Sequence, residues 1–315
     1  MRSLKVAGAA VLLLTSVSAR AFVREETDKT QLCLYWGTRQ VPFTINEGGT
    51  REAGCTADQA IAAVRAGFSA WPAATKSGAT VPCTDFQFSY QGTTSRIDTG
   101  YTQGASNNIN LVVWRQGICA QDINDPCHKT NTCGNTNNCW DHGTAGTIAL
   151  TTTTYVVGTG EIKDADMEFF DWDGRNSGAA IMTANQNGWY FTCFGQSTPV
   201  CQNWGDSGCT YIDLQNTATH EAGHIVGLDH EPVNEAVATM NATAYPGELT
   251  KRILADDDVN GICTIYPKGG ATSVCYSTTS ASGGCGYGTG LGGLVGVLVS
   301  LMAGVGLRLR RARRA

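Results

Sequence analysis

The pattern of apolar and polar residues divides the central part of the chain into strands, one early helix and one late helix. Alternating or β-branched segments predict strands at 31–37, 41–46, 85–90, 110–114, 146–151 and 164–169. Thr56, with Gln59 three residues later, has the pattern of a capping box, and apolar residues then recur at helical spacing as far as Trp71. Asp213 is a suitable N-cap for a second helix over residues 214–225.

Two stretches lack a clear period, and we predict that they are irregular. Residues 119–142 are rich in Cys, Asn and Asp, which is typical of a disulfide-stapled loop, and residues 176–210 have the pattern of an insertion or a long loop. Neither an internal repeat nor a break in composition divides residues 30–267. The pattern therefore predicts one α+β domain whose strands mostly precede the second helix.

The N-terminus has the composition of a secretory signal peptide. Two basic residues precede an apolar run, and Ala19 and Ala21 occupy both small positions of an A-x-A pattern. We predict that residues 1–21 are removed by cleavage before Phe22. The alternative is an uncleaved membrane anchor, although the apolar run is short compared with the roughly 20 residues that a span requires.

The C-terminus combines a linker, an apolar segment and a basic tail. Residues 268–286 are rich in Ser, Thr and Gly, residues 287–307 are apolar and uncharged, and five arginines follow within residues 308–315. These arginines should stay on the cytoplasmic side of a membrane. The order of Cys285, glycine-rich span and arginine cluster resembles the C-terminal sorting segments of myxobacterial surface proteins, which implies processing or modification at Cys285. The alternative is a plain single-span anchor.

The distribution of charge argues against one class of partner. Eight of the 22 basic residues lie in the two terminal segments, whereas all 27 acidic residues lie between them, so the body carries a net charge of −13. Such a body lacks the basic surface that releases counterions from a phosphate backbone. We therefore expect no nucleic-acid partner.

The cysteines predict a disulfide-rich domain. Twelve of the 13 lie in the body, and Cys285 lies near the C-terminus. An even number in an exported chain predicts six disulfides, whose pairing the sequence leaves open. The alternative for the cysteines at 127–139 is a cysteine-ligated zinc site, which an oxidising compartment disfavours.

The second predicted helix carries the residues that predict chemistry. His220 and His224 are four residues apart and lie on one helical face, where two imidazoles can bind one metal ion. Glu221 lies beside the metal, within reach of a bound water. Gly227 tolerates the positive φ that ends a helix, and the turn brings His230 to the same ion. Three neutral imidazoles leave one tetrahedral position open, as a catalytic zinc requires.

The pattern H-E-x-x-H-x-x-G-x-x-H from His220 to His230 resembles that of the metzincin zinc proteases. Met240, ten residues after the third histidine, is the candidate for the methionine turn of that family. Among metzincins the chain is most similar to the matrixins, on residues 146–151, 160–168, 213–220 and 254–266. The resemblance implies a mixed twisted sheet with an active-site helix, in a catalytic domain over residues 22–267.

Three features depart from the matrixin pattern. Glu231 follows the third histidine, where matrixins usually carry Ser and astacins carry Glu. The chain after Met240 is longer than in matrixins before it reaches Tyr245 and Pro246, which are the candidates for the wall of the S1′ pocket. No segment with a zinc-blocking cysteine precedes the first predicted strand, and Cys33 is better explained as a disulfide partner.

The resemblance implies a zinc-dependent endopeptidase in which Glu221 acts as general base and then as general acid. A protein or peptide substrate would lie extended along the edge strand near Ile148, Ala149 and Leu150. We expect a monomer that is exported to the cell surface or the extracellular space, with contact to the membrane through the C-terminal segment. The alternatives are a catalytically inactive surface binding module on the same fold and a non-peptidase zinc hydrolase.

Calcium is a further cofactor that the resemblance implies, because matrixins carry structural calcium. Calcium prefers hard carboxylate oxygens, and the candidate ligands are Asp122, Asp125, Asp164, Asp166 and Asp171. The alternative is that these are ordinary acidic residues on solvated loops. A second, structural zinc would require His128 and His142.

Overall fold

The computed structural model describes residues 22–50, 55–119, 124, 126–142, 147–171, 190–193, 195, 211–231, 238–275 and 294–303. Within them a mixed sheet packs against two helices, which confirms the predicted α+β class. The described strands are β1 (Tyr35–Trp36), β2 (Gln40–Asn46), β3 (Gln87–Thr94), β4 (Leu111–Gln116), β5 (Thr147–Val156), β6 (Glu161–Asp171), β7 (Tyr190–Thr192), β8 (Tyr211–Asp213), β9 (Thr243–Ala244) and β10 (Leu294–Ala303). The described helices are α1 (Ala57–Ala70), α2 (Pro126–Thr130), α3 (Cys133–Asn137), α4 (Leu214–Val226) and α5 (Asp256–Ile265), with a 3₁₀ turn at Thr250–Arg252.

The main sheet has the strand order β3-β2-β4-β6-β5-β10-β9, and β1 pairs with β6. The pairs β3–β2, β2–β4 and β4–β6 are parallel, whereas β5 runs antiparallel to β6. The strand β10 is antiparallel to β5 and parallel to β9. The backbone of residues 294–303 therefore lies along the side of β5 that faces away from β6.

The helix α1 forms as the sequence predicts. The Thr56 side chain accepts from Gln59 N at 3.2 Å, and the Gln59 side chain accepts from Thr56 N at 2.8 Å, which completes the capping box. Phe68 stacks on Phe43 of β2 with ring centroids 4.1 Å apart, so the apolar face of the helix packs on the sheet. On its other side α1 packs against α4, where the Trp71 indole donates to the Thr219 carbonyl at 2.9 Å.

Three predicted segments differ from the structure. The strand predicted at 146–151 extends to Val156, and it is not an edge strand because β10 pairs with its outer side. The stapled loop contains the two short helices α2 and α3. The stretch predicted to be irregular at 176–210 contains β7, which pairs in parallel with β8. The strand pairs β5–β10 and β7–β8 depend on a partner outside the predicted segment, which a local pattern does not reveal.

The segment predicted to span a membrane is described only in part. Residues Leu294–Ala303 form β10. Within the described residues, no helix is long and apolar enough to cross a bilayer. Residues 1–21, 276–293 and 304–315, including Cys285, lie outside the described part of the chain.

Disulfides staple the described domain. Cys127, His128 and Cys133 lie close enough to hold a metal ion, but the two cysteines are joined to each other, so the zinc alternative for these cysteines is not supported. Cys201 and Cys209 lie outside the described residues. The abundance of disulfides is consistent with export to an oxidising compartment. The described pairs are Cys33–Cys275, Cys55–Cys193, Cys83–Cys263, Cys119–Cys139 and Cys127–Cys133.

Candidate metal centre

The helix α4 has the start and the end that its sequence predicts. The Asp213 carboxylate accepts from Asn216 N at 2.7 Å, as an N-cap does, and also from the guanidinium of Arg252 at 2.7 and 2.5 Å. Gly227 follows the last turn with a φ of 100°, a left-handed conformation that glycine adopts without strain. The helix is therefore held at one end by an ion pair and stops where the chain must turn back.

One side chain from the sheet and one from the residue that follows α5 satisfy the buried carbonyls at the end of α4. The Trp36 indole donates to the Ile225 carbonyl at 2.7 Å, and the Tyr266 hydroxyl donates to the Val226 carbonyl at 3.0 Å. The same hydroxyl accepts from Trp36 N at 2.9 Å. This network fixes the turn that carries the chain from the second to the third histidine.

The three histidines of the motif converge on one point. The Nε2 atoms of His220, His224 and His230 are each 3.2 Å from the other two. Tetrahedral ligands at the usual zinc–nitrogen distance of about 2.0–2.1 Å lie about 3.3 Å apart. The triangle therefore fits a zinc ion, with the fourth position left for water or substrate.

Hydrogen bonds to the other ring nitrogens orient two of these ligands. Nδ1 of His220 lies 2.6 Å from the Thr239 carbonyl, and Nδ1 of His224 lies 2.8 Å from the Leu228 carbonyl. Each Nδ1 must carry a proton to donate, so each Nε2 keeps its lone pair for a metal. Burial lowers the pKa of His224 to about 4 and that of His230 to about 3, and it lowers the pKa of His220 well below its usual value. The three imidazoles are therefore neutral near pH 7, as metal ligands must be.

Glu221 is buried next to the triad, and its side chain is held by the sheet. The Thr151 hydroxyl of β5 lies 2.8 Å from Glu221 Oε2 and 3.1 Å from the Glu221 carbonyl. Ile148, Ala149 and Leu150 precede Thr151 on the same strand and are buried. The predicted general base and the predicted substrate-pairing strand are thus in direct contact.

Met240 lies beneath the metal-binding helix. Its sulfur occupies the space that a side chain at Gly223 of α4 would fill. The Asp258 carboxylate of α5 accepts from Thr239 N at 2.8 Å and from Met240 N at 3.2 Å. Glu231, the departure after the third histidine, is buried, and its N–H donates to the Met240 carbonyl at 2.9 Å. The predicted methionine turn is therefore held by α5 on one side and by the third-histidine segment on the other.

The segment after the methionine turn is tied to a buried lysine. Lys251 Nζ donates to the carbonyls of Asn241 and Thr243, at 2.5 and 2.7 Å. Burial lowers the pKa of Lys251 to about 8. Tyr245 is exposed whereas Pro246 is buried, so the two candidates for the pocket wall differ in what they can offer a substrate.

The predicted calcium ligands do not converge. Within the described residues, groups of three or more potential metal ligands occur at the histidine triad and at Cys127, His128 and Cys133. The Asp171 carboxylate accepts from Thr50 and Gln116. Asp164 and Asp166 are buried neighbours on β6, and Asp122 and Asp125 lie outside the described residues.

The two histidines considered for a second zinc line one cavity in the stapled loop. His142 Nε2 lies 3.2 Å from Glu168 Oε1 and 3.4 Å from Asp141 Oδ1. His128 belongs to α2 and is exposed. The described residues therefore contain no second group of histidines around one point.

Four residues near the triad have no counterpart among the predicted site residues. Thr151 and Lys251 belong to ordinary strand and turn patterns, and Glu25 precedes the first predicted strand. Glu25 Oε1 lies 3.2 Å from His224 Nδ1, and burial and the nearby Asp229 carboxylate raise the pKa of Glu25 well above its usual range. Asp258 lies within residues 254–266, which resemble the matrixins, so only that resemblance could have indicated its place near the metal centre.

Comparison with known proteins agrees with this geometry. Residues 35–267 match the peptidase family model described as Matrixin. Two curated relatives are Arabidopsis thaliana proteins, metalloendoproteinase 5-MMP, 40% identical over 57 residues, and metalloendoproteinase 2-MMP, 37% identical over 87 residues. These matches cover 18% and 25% of this chain and only 15% and 21% of the relatives.

The family match covers most of the chain and includes α4, Met240 and α5. It also includes the histidine triad, whose geometry fits zinc without any reference to relatives. By both lines of evidence, this chain belongs to the matrixin family.

Proposed function

We propose that this protein is a zinc-dependent endopeptidase that hydrolyses peptide bonds in extracellular proteins. The observation that carries the proposal is the triangle of three buried Nε2 atoms at 3.2 Å, with a buried carboxylate next in sequence to the first of them. His220, His224 and His230 would hold the ion, and Met240 would form the floor below it. When bound, zinc polarises the scissile carbonyl and lowers the pKa of a water molecule.

Glu221 is the proposed proton carrier. Its carboxylate takes a proton from the attacking water, whose oxygen forms a bond to the scissile carbonyl carbon. The same carboxyl group then gives that proton to the amide nitrogen as the carbon–nitrogen bond breaks, which releases an amine and a carboxylic acid. The acid then loses its remaining proton to the amine or to water. The hydrogen bond from Thr151 holds Oε2, which limits the rotation of the carboxylate between the two transfers.

The substrate is proposed to bind as an extended strand. Ile148, Ala149 and Leu150 would pair their backbone groups with it, by strand addition to the outer side of β5. Tyr245 and Pro246 would form the wall of the S1′ pocket, with Lys251 holding the preceding segment in place. The pairing of β10 supports this binding mode. As an extended strand, β10 already lies between β5 and β9, which indicates that the outer side of β5 can accept a strand.

The test is to measure zinc content and casein cleavage for the parent and for Glu221→Ala, with disulfides formed. We expect about one zinc per chain in both and cleavage only in the parent, because loss of a general base removes a factor of about 10²–10⁴. Glu47→Ala, which changes an exposed carboxylate, is the matched control and should leave both values unchanged.

Each other outcome of this test has a defined meaning. Equal cleavage by Glu221→Ala would refute the proposed role of this residue. Zinc without cleavage in the parent would favour an inactive surface binding module on the same fold. A folded parent that binds no zinc would refute the metal centre.

We further propose that residues 1–21 are a signal peptide, residues 268–286 a linker, residues 287–307 a membrane or sorting segment and residues 308–315 a cytoplasmic tail, with Cys285 as a processing site. The apolar span and the arginines that follow it support this organisation. Cell fractionation of the full chain and of a chain that ends at residue 286 provides the test. If both chains occur equally in the soluble extracellular fraction, the anchor is excluded.

Among the described residues we propose calcium for Asp164, with Asp166 beside it, because both oxygens of Asp171 and of Asp166 already accept hydrogen bonds. Asp122 and Asp125 stay candidates outside the described part of the chain. The support is that the Asp164 and Asp166 carboxylates are buried near one another, where a divalent cation would offset their charge. A thermal scan in calcium and in a calcium chelator, after zinc has been restored, tests it. Identical melting temperatures would exclude a structural calcium ion.

A further inference from the structure

Glu25 has no part in the mechanism proposed above, yet its carboxylate is buried against a zinc ligand. Oε1 lies 3.2 Å from His224 Nδ1, and the two residues are 2% and 0% exposed. The same Nδ1 lies 2.8 Å from the Leu228 carbonyl. Nε2 of His224 faces the other two histidines, so the Glu25 carboxylate lies on the side of the imidazole ring that faces away from the metal position.

Backbone hydrogen bonds place this carboxylate. Glu25 N donates to the Gly227 carbonyl and Asp229 N donates to the Val23 carbonyl, both at 3.0 Å. Residues 23–25 thus pair in antiparallel fashion with the turn that connects the second and third histidines. The position of the Glu25 side chain is therefore coupled to the conformation of the metal-binding turn.

A carboxylate in this position has two physical effects on a metal site. Its negative charge favours the tautomer of His224 whose Nδ1–H is donated to the Leu228 carbonyl, and it makes Nε2 a stronger electron donor. It also lowers the cost of a buried dication, since three neutral imidazoles contribute no negative charge. In return, the ion offsets the cost of burying the carboxylate.

We propose that Glu25 is a positioning residue of the zinc centre, and that the N-terminal segment which carries it completes this centre. Zinc binding and docking of residues 23–25 then stabilise each other, because the linkage between two binding events is reciprocal. The inference rests on the zinc site of the proposed function but not on peptidase activity. A chain that bound zinc without cleaving peptides would refute the proposed function and leave this inference intact.

The experiment measures zinc affinity of the full chain, with disulfides formed, by competition with a chromophoric chelator. Glu25→Gln keeps the size of the side chain and removes the negative charge that a bound zinc ion would stabilise on it. We expect it to weaken zinc binding by about 10–100-fold, the usual effect of losing such a partner. Glu26→Gln, at the next and exposed position, is the matched control and should bind zinc as the parent does. Parent-like affinity in Glu25→Gln would overturn the proposal.

A second measurement separates positioning of the ligand from a merely structural role. Zinc raises the melting temperature by an amount that depends on its affinity. We expect this rise to be smaller in Glu25→Gln than in the parent. If Glu25→Gln instead lowers the melting temperature of the metal-free chain and leaves the zinc-induced rise unchanged, the residue is only structural and the proposal fails.

A third measurement uses the parent alone and so does not depend on whether the variant folds. Leu34 N donates to the Glu25 carbonyl at 2.8 Å, and Glu25 N pairs with the metal-binding turn. We expect added zinc to slow hydrogen exchange at both amides, because the ion favours the docked segment. Zinc-dependent protection confined to α4, with none at Glu25 or Leu34, would contradict the coupling.

Discussion

At the scale of single residues, the zinc centre depends on partners that support its ligands rather than on the histidines alone. Backbone carbonyls hold two of the imidazoles, and a threonine hydroxyl holds the proposed base. Such partners orient the reacting groups before the substrate binds, so their loss affects the rate even when the metal is retained. Thr151 is the clearest case, because both hydrogen bonds of its side chain are to Glu221.

We predict that Thr151→Val lowers kcat for peptide cleavage and leaves zinc content unchanged. Loss of a hydrogen bond to a carboxylate costs about 1.5–3 kcal/mol, which corresponds to roughly a tenfold or larger loss if it is felt in the transition state. Thr152→Val is the matched control, since its side chain is on the opposite face of β5. The measurement is kcat from steady-state kinetics of both variants and the parent. Equal kcat values for Thr151→Val and the parent would contradict the prediction.

At the scale of elements, two buried features hold neighbouring parts of the fold together. One is the close contact between α1 and α4, and the other is a pair of buried acids in β6. In the α1–α4 contact, a Cβ on Gly67 would lie 2.8 Å from Thr219 N, next to the first zinc ligand. In β6, Asp166 accepts from Gly100 N at 2.5 Å and Leu111 N at 2.8 Å, and Asp164 lies two residues away on the same face. Both features couple one element to the next through buried backbone.

We predict that Gly67→Ala is destabilising, although alanine is the better helix former. The added methyl group would meet backbone atoms of α4, which can move only if the two helices separate. Overpacking of this kind costs about 1–3 kcal/mol, which exceeds the roughly 1 kcal/mol gained in helix propensity. Ser69→Ala on the exposed face of α1 is the control. Chemical denaturation measures both, and a Gly67→Ala variant as stable as the parent would show that the contact is loose.

The acid pair predicts how stability depends on pH in calcium-free buffer. Burial raises the pKa of Asp164 to about 6, although a hydrogen bond with Asp166 lowers it in part. Burial also raises the pKa of Asp166 well above its usual value, and the nearby Asp164 carboxylate raises it further. The folded state therefore binds protons more tightly than the unfolded state. This contribution to stability is present at low pH and is lost as the pH rises through about 6.

We expect Asp164→Asn to flatten this profile, because the asparagine cannot ionise. The free energy of unfolding should decrease between pH 5 and pH 7.5 in both proteins. The decrease should be smaller in the variant than in the parent, by roughly 1–3 kcal/mol. Denaturation curves at the two pH values provide the measurement, with Asp28→Asn as an exposed control. The same slope in Asp164→Asn and the parent would exclude the buried pair as its cause.

At the scale of the whole molecule, one segment has two incompatible roles. Residues 294–303 pair with β5 and β9, where the substrate is proposed to bind, and they also lie within the apolar span predicted to enter a membrane. A single strand cannot occupy both places. Anchoring would therefore leave β5 open for a substrate, whereas the paired arrangement covers it.

We predict that Val297→Pro raises the rate of peptide cleavage by the detergent-solubilised full chain. Proline removes a backbone donor and disfavours a central ladder, so β10 should leave β5, where Val297 pairs with Thr153. The effect should appear as a lower KM, because the substrate no longer competes with β10. Val297→Ala keeps the backbone donor and serves as the control. If both variants match the parent, β10 does not restrict access to β5 in solution.

Most of the local structure follows from the sequence alone. The capping box at Thr56, the N-cap at Asp213 and the glycine stop at Gly227 each depend on residues within a few positions, so short-range rules predict them correctly. The triad is predictable for the same reason: spacing on one helix, with a turn after it, brings three histidines together without reference to the rest of the chain.

The tertiary structure alone decided which distant residues support that triad. Glu25 and His224 are separated by nearly the whole domain, and the contact between Thr151 and Glu221 depends on how the sheet packs on α4. The disulfide pairs and the position of β10 beside β5 are likewise contacts between distant segments. Periodicity and spacing report only on neighbours along the chain, whereas these contacts depend on how whole elements pack. Local sequence patterns therefore predict the ligands of the metal, whereas the residues that support those ligands depend on how the whole domain folds.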